Sequence, residues 1–122
     1  MPTLHHLALR TRELGRLEEF YVGVVGAEVV RRDEVRGSVW LAVDDVVLML
    51  ERASAEEPAV PAGSLDLLAF AAEGLAAWRA RLEQARTSVE HATEHTLYFR
   101  DPDGRRVGVS TFRWPWLEGP ER

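Results

Sequence analysis

Four histidines, at positions 5, 6, 91 and 95, are the imidazoles of a chain that contains no cysteine. Imidazole and carboxylate together can hold a divalent ion with open coordination positions, or move protons near neutral pH. Spacing decides how much of that chemistry these residues share. His5 and His6 are neighbours, and adjacent side chains of a strand point to opposite faces, so the two are not expected to converge on one ion. His91 and His95 have the i, i+4 spacing that ligates zinc on a helix, but their surroundings read as strand–turn–strand, where it has no such meaning. Both are expected at exposed turn positions. Glu51 is the carboxylate whose strand parity matches His6; it would act as a general base or orient His6, or else end a strand in water. The missing cysteines exclude disulfides, thiolate metal sites and thiol nucleophiles. No GxGxxG, P-loop or G-x-S-x-G pattern occurs, so a nucleotide cradle and a serine elbow are unsupported.

The elements that must position these residues follow from periodicity. Leu4–Thr11 alternates as a strand. Leu14, Leu17, Tyr21, Val24 and Val25 then fall at helical spacing, with Gly26 placed as a C-terminal cap. Ala27–Asp33 predicts a second strand, and Ser38–Val43 with Val46–Glu51 a hairpin about Asp44-Asp45. Residues 53–63, with two prolines, small residues and acids, read as a linker. After it the order repeats: a strand over Leu65–Ala71, a helix marked by Leu75, Trp78, Leu82 and Ala85, then strands at Val89–Ala92, Thr96–Arg100 and Val107–Phe112. Asp101-Pro102-Asp103-Gly104 supplies the last turn. Each half is strand–helix–strand–strand–strand, the mark of a duplicated module. The fold class is therefore α+β, one domain over 1–122, with module one at about 3–52, module two at about 64–113 and a tail at 114–122.

Strand parity sorts the side chains. A two-residue turn at Asp44-Asp45 sets Val43 opposite Val46, Leu41 opposite Leu48 and Trp40 opposite Met49. Leu7, Leu9, Leu41, Val43, Leu48, Leu50, Leu68, Phe70, Leu97, Phe99, Val107 and Val109 share the faces that would bed the helices. The other faces carry His6, Arg10, Trp40, Met49, Glu51, Leu67, Tyr98, Gly108 and Ser110, a mixture suited to a ligand site. Trp40, Tyr98 and Met49 would form a wall for a planar or apolar ligand, or simply fill the space. Arg10 and Arg106 share this parity and could receive an anionic group, or be solvated.

Two stretches resemble the vicinal oxygen chelate superfamily, which includes glyoxalase I, extradiol dioxygenases, fosfomycin resistance enzymes and bleomycin-binding proteins. They are His6-Leu-Ala-Leu-Arg with Glu13-Leu14, Glu19-Phe20-Tyr21 and Gly26, and Tyr98-Phe99-Arg100-Asp101-Pro102-Asp103-Gly104. The resemblance runs from about Leu4 to Phe112 and implies two βαβββ modules with curved mixed sheets around a concave cleft, commonly in a dimer. It also implies metal ligands at four positions, occupied here by His6, Met49, Leu67 and Gly108. One imidazole of four survives, whereas a catalytic ion needs about three protein ligands. The expectation is a metal-free cleft that binds a small molecule, with His6, Trp40, Met49, Glu51, Leu67, Tyr98 and Gly108 as its lining. A divalent ion in a metal-dependent lyase or dioxygenase is the alternative, and an inert or regulatory subunit a third.

Twenty acidic against fifteen basic residues give a net charge of −5, which disfavours a nucleic-acid partner. The longest apolar run, Leu67–Ala72, is far short of a membrane span, and no signal-like run opens the chain, so a cytoplasmic protein with no membrane partner is expected. Phe112–Leu117 holds two tryptophans, Trp114 and Trp116, about Pro115. A homodimer that covers them is expected, or a tail folded over its own cleft.

Overall fold

The computed structural model describes residues 2–115. The elements are β1 (Leu7–Thr11), α1 (Leu14–Phe20), β2 (Glu28–Asp33), β3 (Ser38–Val43), β4 (Val46–Arg52), β5 (Leu67–Ala71), α2 (Leu75–Gln84), β6 (His91–Ala92), β7 (Thr96–Arg100) and β8 (Arg106–Ser110). They form two four-stranded mixed sheets of the same topology, β1-β4-β3-β2 and β5-β8-β7-β6. In each, the first strand runs parallel to the last and the other pairs are antiparallel. The βαβββ order therefore occurs twice, as the repeat predicts. Contacts divide the chain into two compact units, one reaching to Pro61 with Asp101–Asp103 added, the other Ala62–Arg100 with Gly104 onward. Among the described residues no helix is long and apolar enough to cross a membrane.

In the first unit the hairpin register is the one parity demands: Val43 faces Val46, Leu41 faces Leu48 and Trp40 faces Met49, with Asp44 at φ 51°. Leu17, Tyr21, Val39, Leu41, Leu48 and Leu50 form its core, each at most 1% exposed. The helical stretch departs from a single α-helix. After Phe20 it widens into a π-helical turn over Tyr21–Val25, and the Tyr21 carbonyl accepts N–H groups from both Gly26 and Ala27. Gly26 ends it at φ 96°, a left-handed position that glycine occupies without strain.

In the second unit Leu82 of α2 and Leu97, Phe99, Val107 and Val109 are fully buried. Gly104 takes φ 92° in the predicted turn. The preceding residues of that turn, Asp101–Asp103, belong to the first unit. Asp101 is only 4% exposed; its Oδ2 accepts the hydroxyl of buried Tyr21 at 2.8 Å, and its Oδ1 accepts the Asp103 N–H at 2.9 Å. A buried carboxylate stays charged at low cost only when donors surround it.

Several boundaries differ from the sequence reading. β1 starts at Leu7 rather than Leu4, because its ladder with β4 begins at the Leu7–Leu48 pair. β2 starts at Glu28 rather than Ala27. β5 starts at Leu67 rather than Leu65: Leu65 is 71% exposed, and the Ser64 hydroxyl instead accepts the Asp66 N–H in a local turn. β6 is two residues long, its N-terminal side reduced to the Glu90 N–H donating to Tyr98 O. β8 spans Arg106–Ser110 rather than Val107–Phe112: beyond Ser110 the Thr111 N–H still donates to His95 O, but the His95 N–H goes to Thr93 Oγ1 and the ladder stops.

Replacing Tyr21 by Phe removes a hydrogen bond to a charged group while leaving the ring in place. The expected loss is about 1.5–3 kcal/mol, read as a lower urea midpoint at unchanged slope. An unchanged midpoint would show that Asp101 does not depend on this donor.

Candidate functional site

The face of the first sheet turned away from its helix, termed its outer face, carries four of the predicted site residues. His6 lies just before β1, outside the strand alternation, and this corrects the reading that sends His5 and His6 to opposite sides. Their rings meet edge to face at 5.1 Å with the two Nδ1 atoms 2.8 Å apart, so one Nδ1 bears a proton and the other accepts it. The other edge contact of His6 is with Trp40, at 5.0 Å. Trp40 in turn pairs with Met49 across β3 and β4. Glu51 pairs in register with Arg10 on β1, and their charged groups approach to 3.5 Å.

Arg10 does not present an open fork to an anion. Its Nε and Nη2 donate to both oxygens of Glu57 at 2.9 and 2.7 Å. Glu57 also accepts the Ser54 N–H, and Arg12 donates to the carbonyls of Ala55 and Glu57. The Arg10 guanidinium, with the Ser54 N–H second, holds the Glu57 carboxyl down at about 2, and Glu57 raises the pKa of Arg10 in return. Arg10 of β1 and Arg12 just beyond its end thus strap the segment after β4 onto β1. Composition alone marked that segment as a linker, and Glu57 gave no sign of its partner 47 residues away.

The outer face of the second sheet opens into a cavity of about 470 Å³. Its floor is Leu67, Ala69 and Ala71 of β5, with Tyr98 and Thr96 of β7 and Ser110 of β8. Its wall is the turn at Thr93 and His95 together with Phe112 and Trp114, whose rings run edge to face: His95 to Phe112 at 5.6 Å, Phe112 to Trp114 at 4.8 Å. The wall is anchored, because Thr111 donates to His95 O through both its N–H and its hydroxyl. The Thr96 and Ser110 hydroxyls lie 2.8 Å apart, and Ser110 Oγ also accepts the Phe112 N–H. Two hydroxyls joined by one hydrogen bond leave one O–H proton to offer a ligand.

Gly108, between Ala69 and Tyr98 in the ladders, is buried beneath Leu67; a Cβ there would stand 3.3 Å from Leu67 Cδ1. Of the predicted lining, Leu67 and Tyr98 therefore border the cavity and Gly108 makes room for Leu67. Thr93, His95, Thr96 and Phe112 were not foreseen as lining, nor was Phe70, which parity put on the helix face; only the polar alternation of β7 hinted at Thr96. Trp114 is 49% exposed and stands at the mouth; Trp116 lies outside the described residues.

The implied metal positions do not fit a divalent ion. His6 is packed between His5 and Trp40, Met49 and Leu67 offer no hard donor, and Gly108 has no side chain. Among the described residues no group of three or more histidines and acids could hold a metal.

Residues 3–109 match the model of the Glyoxalase/Bleomycin resistance protein/Dioxygenase superfamily. Lactoylglutathione lyase from Agrobacterium tumefaciens is 26% identical, with 96% of each chain covered and a TM-score of 0.69. The fosfomycin resistance protein FosX from Mesorhizobium loti is 16% identical, covering 96% of this chain and 98% of its own, at a TM-score of 0.76. A variant of FosX from Listeria monocytogenes, complexed with Mn(II) and 1S,2S-dihydroxypropylphosphonic acid, is 12% identical over 100% of this chain and 99% of its own, at 0.78. No curated protein matches.

The Glu57 strap has a pH signature. A carboxyl held at about 2 adds stability that is present above the ordinary carboxylate range and is lost as pH falls through it toward 2. Thermal midpoints measured from pH ~5 to ~2 should fall less steeply for Glu57→Gln than for the wild type. Parallel profiles would show that Glu57 is not held this way.

Proposed function

Because the chain belongs to the glyoxalase/bleomycin resistance protein/dioxygenase superfamily, we propose that it binds a small molecule, without a bound metal ion, in the cavity on the outer face of β5, β7 and β8. The observation that carries this reading is the composition of that cavity. Its volume of about 470 Å³ suits a small organic ligand. Aromatic and aliphatic side chains make most of the lining, one unallotted hydroxyl proton gives direction, and His95 is the one imidazole among the described lining residues. Binding needs only burial and orientation, which these groups supply.

His6, Trp40, Met49 and Glu51 lie on the first sheet and do not line this cavity; ring contacts and the Arg10 ion pair already engage His6, Trp40 and Glu51. The half-exposed Phe112 and Trp114 are surfaces that a second copy would cover, so a homodimer is part of the proposal. Light scattering on the full chain and on a chain ending at Arg113 is expected to show a dimer weakened by the truncation. A full-length monomer at micromolar concentration would contradict it.

Elemental analysis of untagged protein and a thermal-shift screen of small molecules test the reading together. The expected result is no stoichiometric Zn, Mn, Ni or Fe, and ligands that raise the melting temperature; saturation at a hundredfold over Kd stabilises by about 2.7 kcal/mol. The shift should shrink in Trp114→Ala. A stoichiometric metal lost in His6→Ala would instead support a metal-dependent lyase or dioxygenase.

A further inference from the structure

Arg106 opens β8 on the cavity side of the sheet, opposite Leu67 in the parallel ladder. Its side chain is only 18% exposed. The guanidinium carbon lies 4.1 Å from the centre of the Tyr98 ring, and Tyr98 and Leu67 both line the cavity. Arg106 Nε is buried with no hydrogen-bond partner among the described residues.

The neighbouring charges explain why. Glu90 Oε1 is 3.9 Å from Arg106 Nε, beyond hydrogen-bond reach, because both Glu90 oxygens accept from Arg100 at 2.7 and 2.8 Å. Arg100 donates further to the carbonyls of Ser64 and Gly104. Two guanidinium groups therefore share one carboxylate, and that carboxylate is committed to Arg100. His91 stacks on the same Tyr98 ring and brings no negative charge. Tyr98 offsets part of the cost of burying Arg106, since a ring face attracts a cation, but it accepts no N–H in the guanidinium plane.

We infer that the molecule bound in this cavity is a small aromatic carboxylate, its charged group received by Arg106 and its flat body lying against Leu67, Tyr98 and Trp114. The inference rests on reading the cavity as a ligand site. A carboxylate matches the planar donor fork of arginine. None of the described residues that line the cavity is acidic, and the spare proton of the Thr96–Ser110 pair adds a second donor. An ammonium ligand would meet the Arg106 cation, while the nearest carboxylate, Glu90, is already committed to Arg100.

Calorimetry on the full chain with three probes of one ring system tests this: naphthoate, neutral naphthamide and naphthylmethylammonium. Naphthoate is expected to bind at least about tenfold more tightly than naphthamide, with the ammonium weakest. Arg106→Gln should bring naphthoate down to the affinity of the amide, and Trp114→Ala should weaken both. Equal wild-type affinities, or tightest binding by the ammonium, would overturn the anion inference while leaving the cavity as a ligand site. That comparison needs no variant to fold. Failure of all three to bind, or naphthoate binding untouched by Trp114→Ala, would overturn the cavity reading and this inference with it.

Discussion

Side chains alternate along a strand, so a sheet that gives one face to a helix is left with a second face of equal area. That constraint governs both halves of this chain. The inner faces are solved alike: Leu41, Leu48 and Leu50 in one sheet and Leu97, Phe99, Val107 and Val109 in the other are wholly buried. The outer faces cannot be solved this way, because each sheet has one helix in its βαβββ unit. What each outer face does instead is the basis of the proposed function.

The two copies of one topology diverge there. On the first sheet the polar groups satisfy one another. Arg10 sits between Glu51 and Glu57, Arg12 holds the following segment, and His6 is occupied by His5 and Trp40. On the second sheet small residues take those places. Ala69, Ala71 and Gly108 leave room, Phe112 and Trp114 raise a wall, and Arg106 keeps a buried N–H with no acceptor among the described residues. A polar group left in that state is costly unless something else completes it. The proposed ligand is what would complete it.

How much of this the residues announced depends on the range of the interaction. The hairpin register about Asp44-Asp45, the Gly26 cap and the duplicated order were legible, since each follows from neighbours within a few positions. The π-helical turn was not, because its apolar spacing is also that of an α-helix. His5 and His6 were misjudged because strand parity was extended past the end of the ladder. In the site, parity placed Leu67, Tyr98 and Arg106 on the right face. It gave nothing on His95 and Phe112, which reach the cavity from the 93–95 turn and the segment after β8, where no period operates. The Tyr21–Asp101 and Arg10–Glu57 pairs span 80 and 47 residues and leave no local trace.

The central claim is that the outer face of β5, β7 and β8 holds a ligand through Arg106 and its aromatic wall, with no metal. A crystal structure of the full chain grown with naphthoate, with anomalous data collected for transition metals, tests it most directly. The account predicts the ring against Leu67, Tyr98 and Trp114, the carboxylate within hydrogen-bond distance of Arg106 Nε, and no anomalous peak beside His6. Naphthoate bound elsewhere, or a metal coordinated by His6, would contradict it.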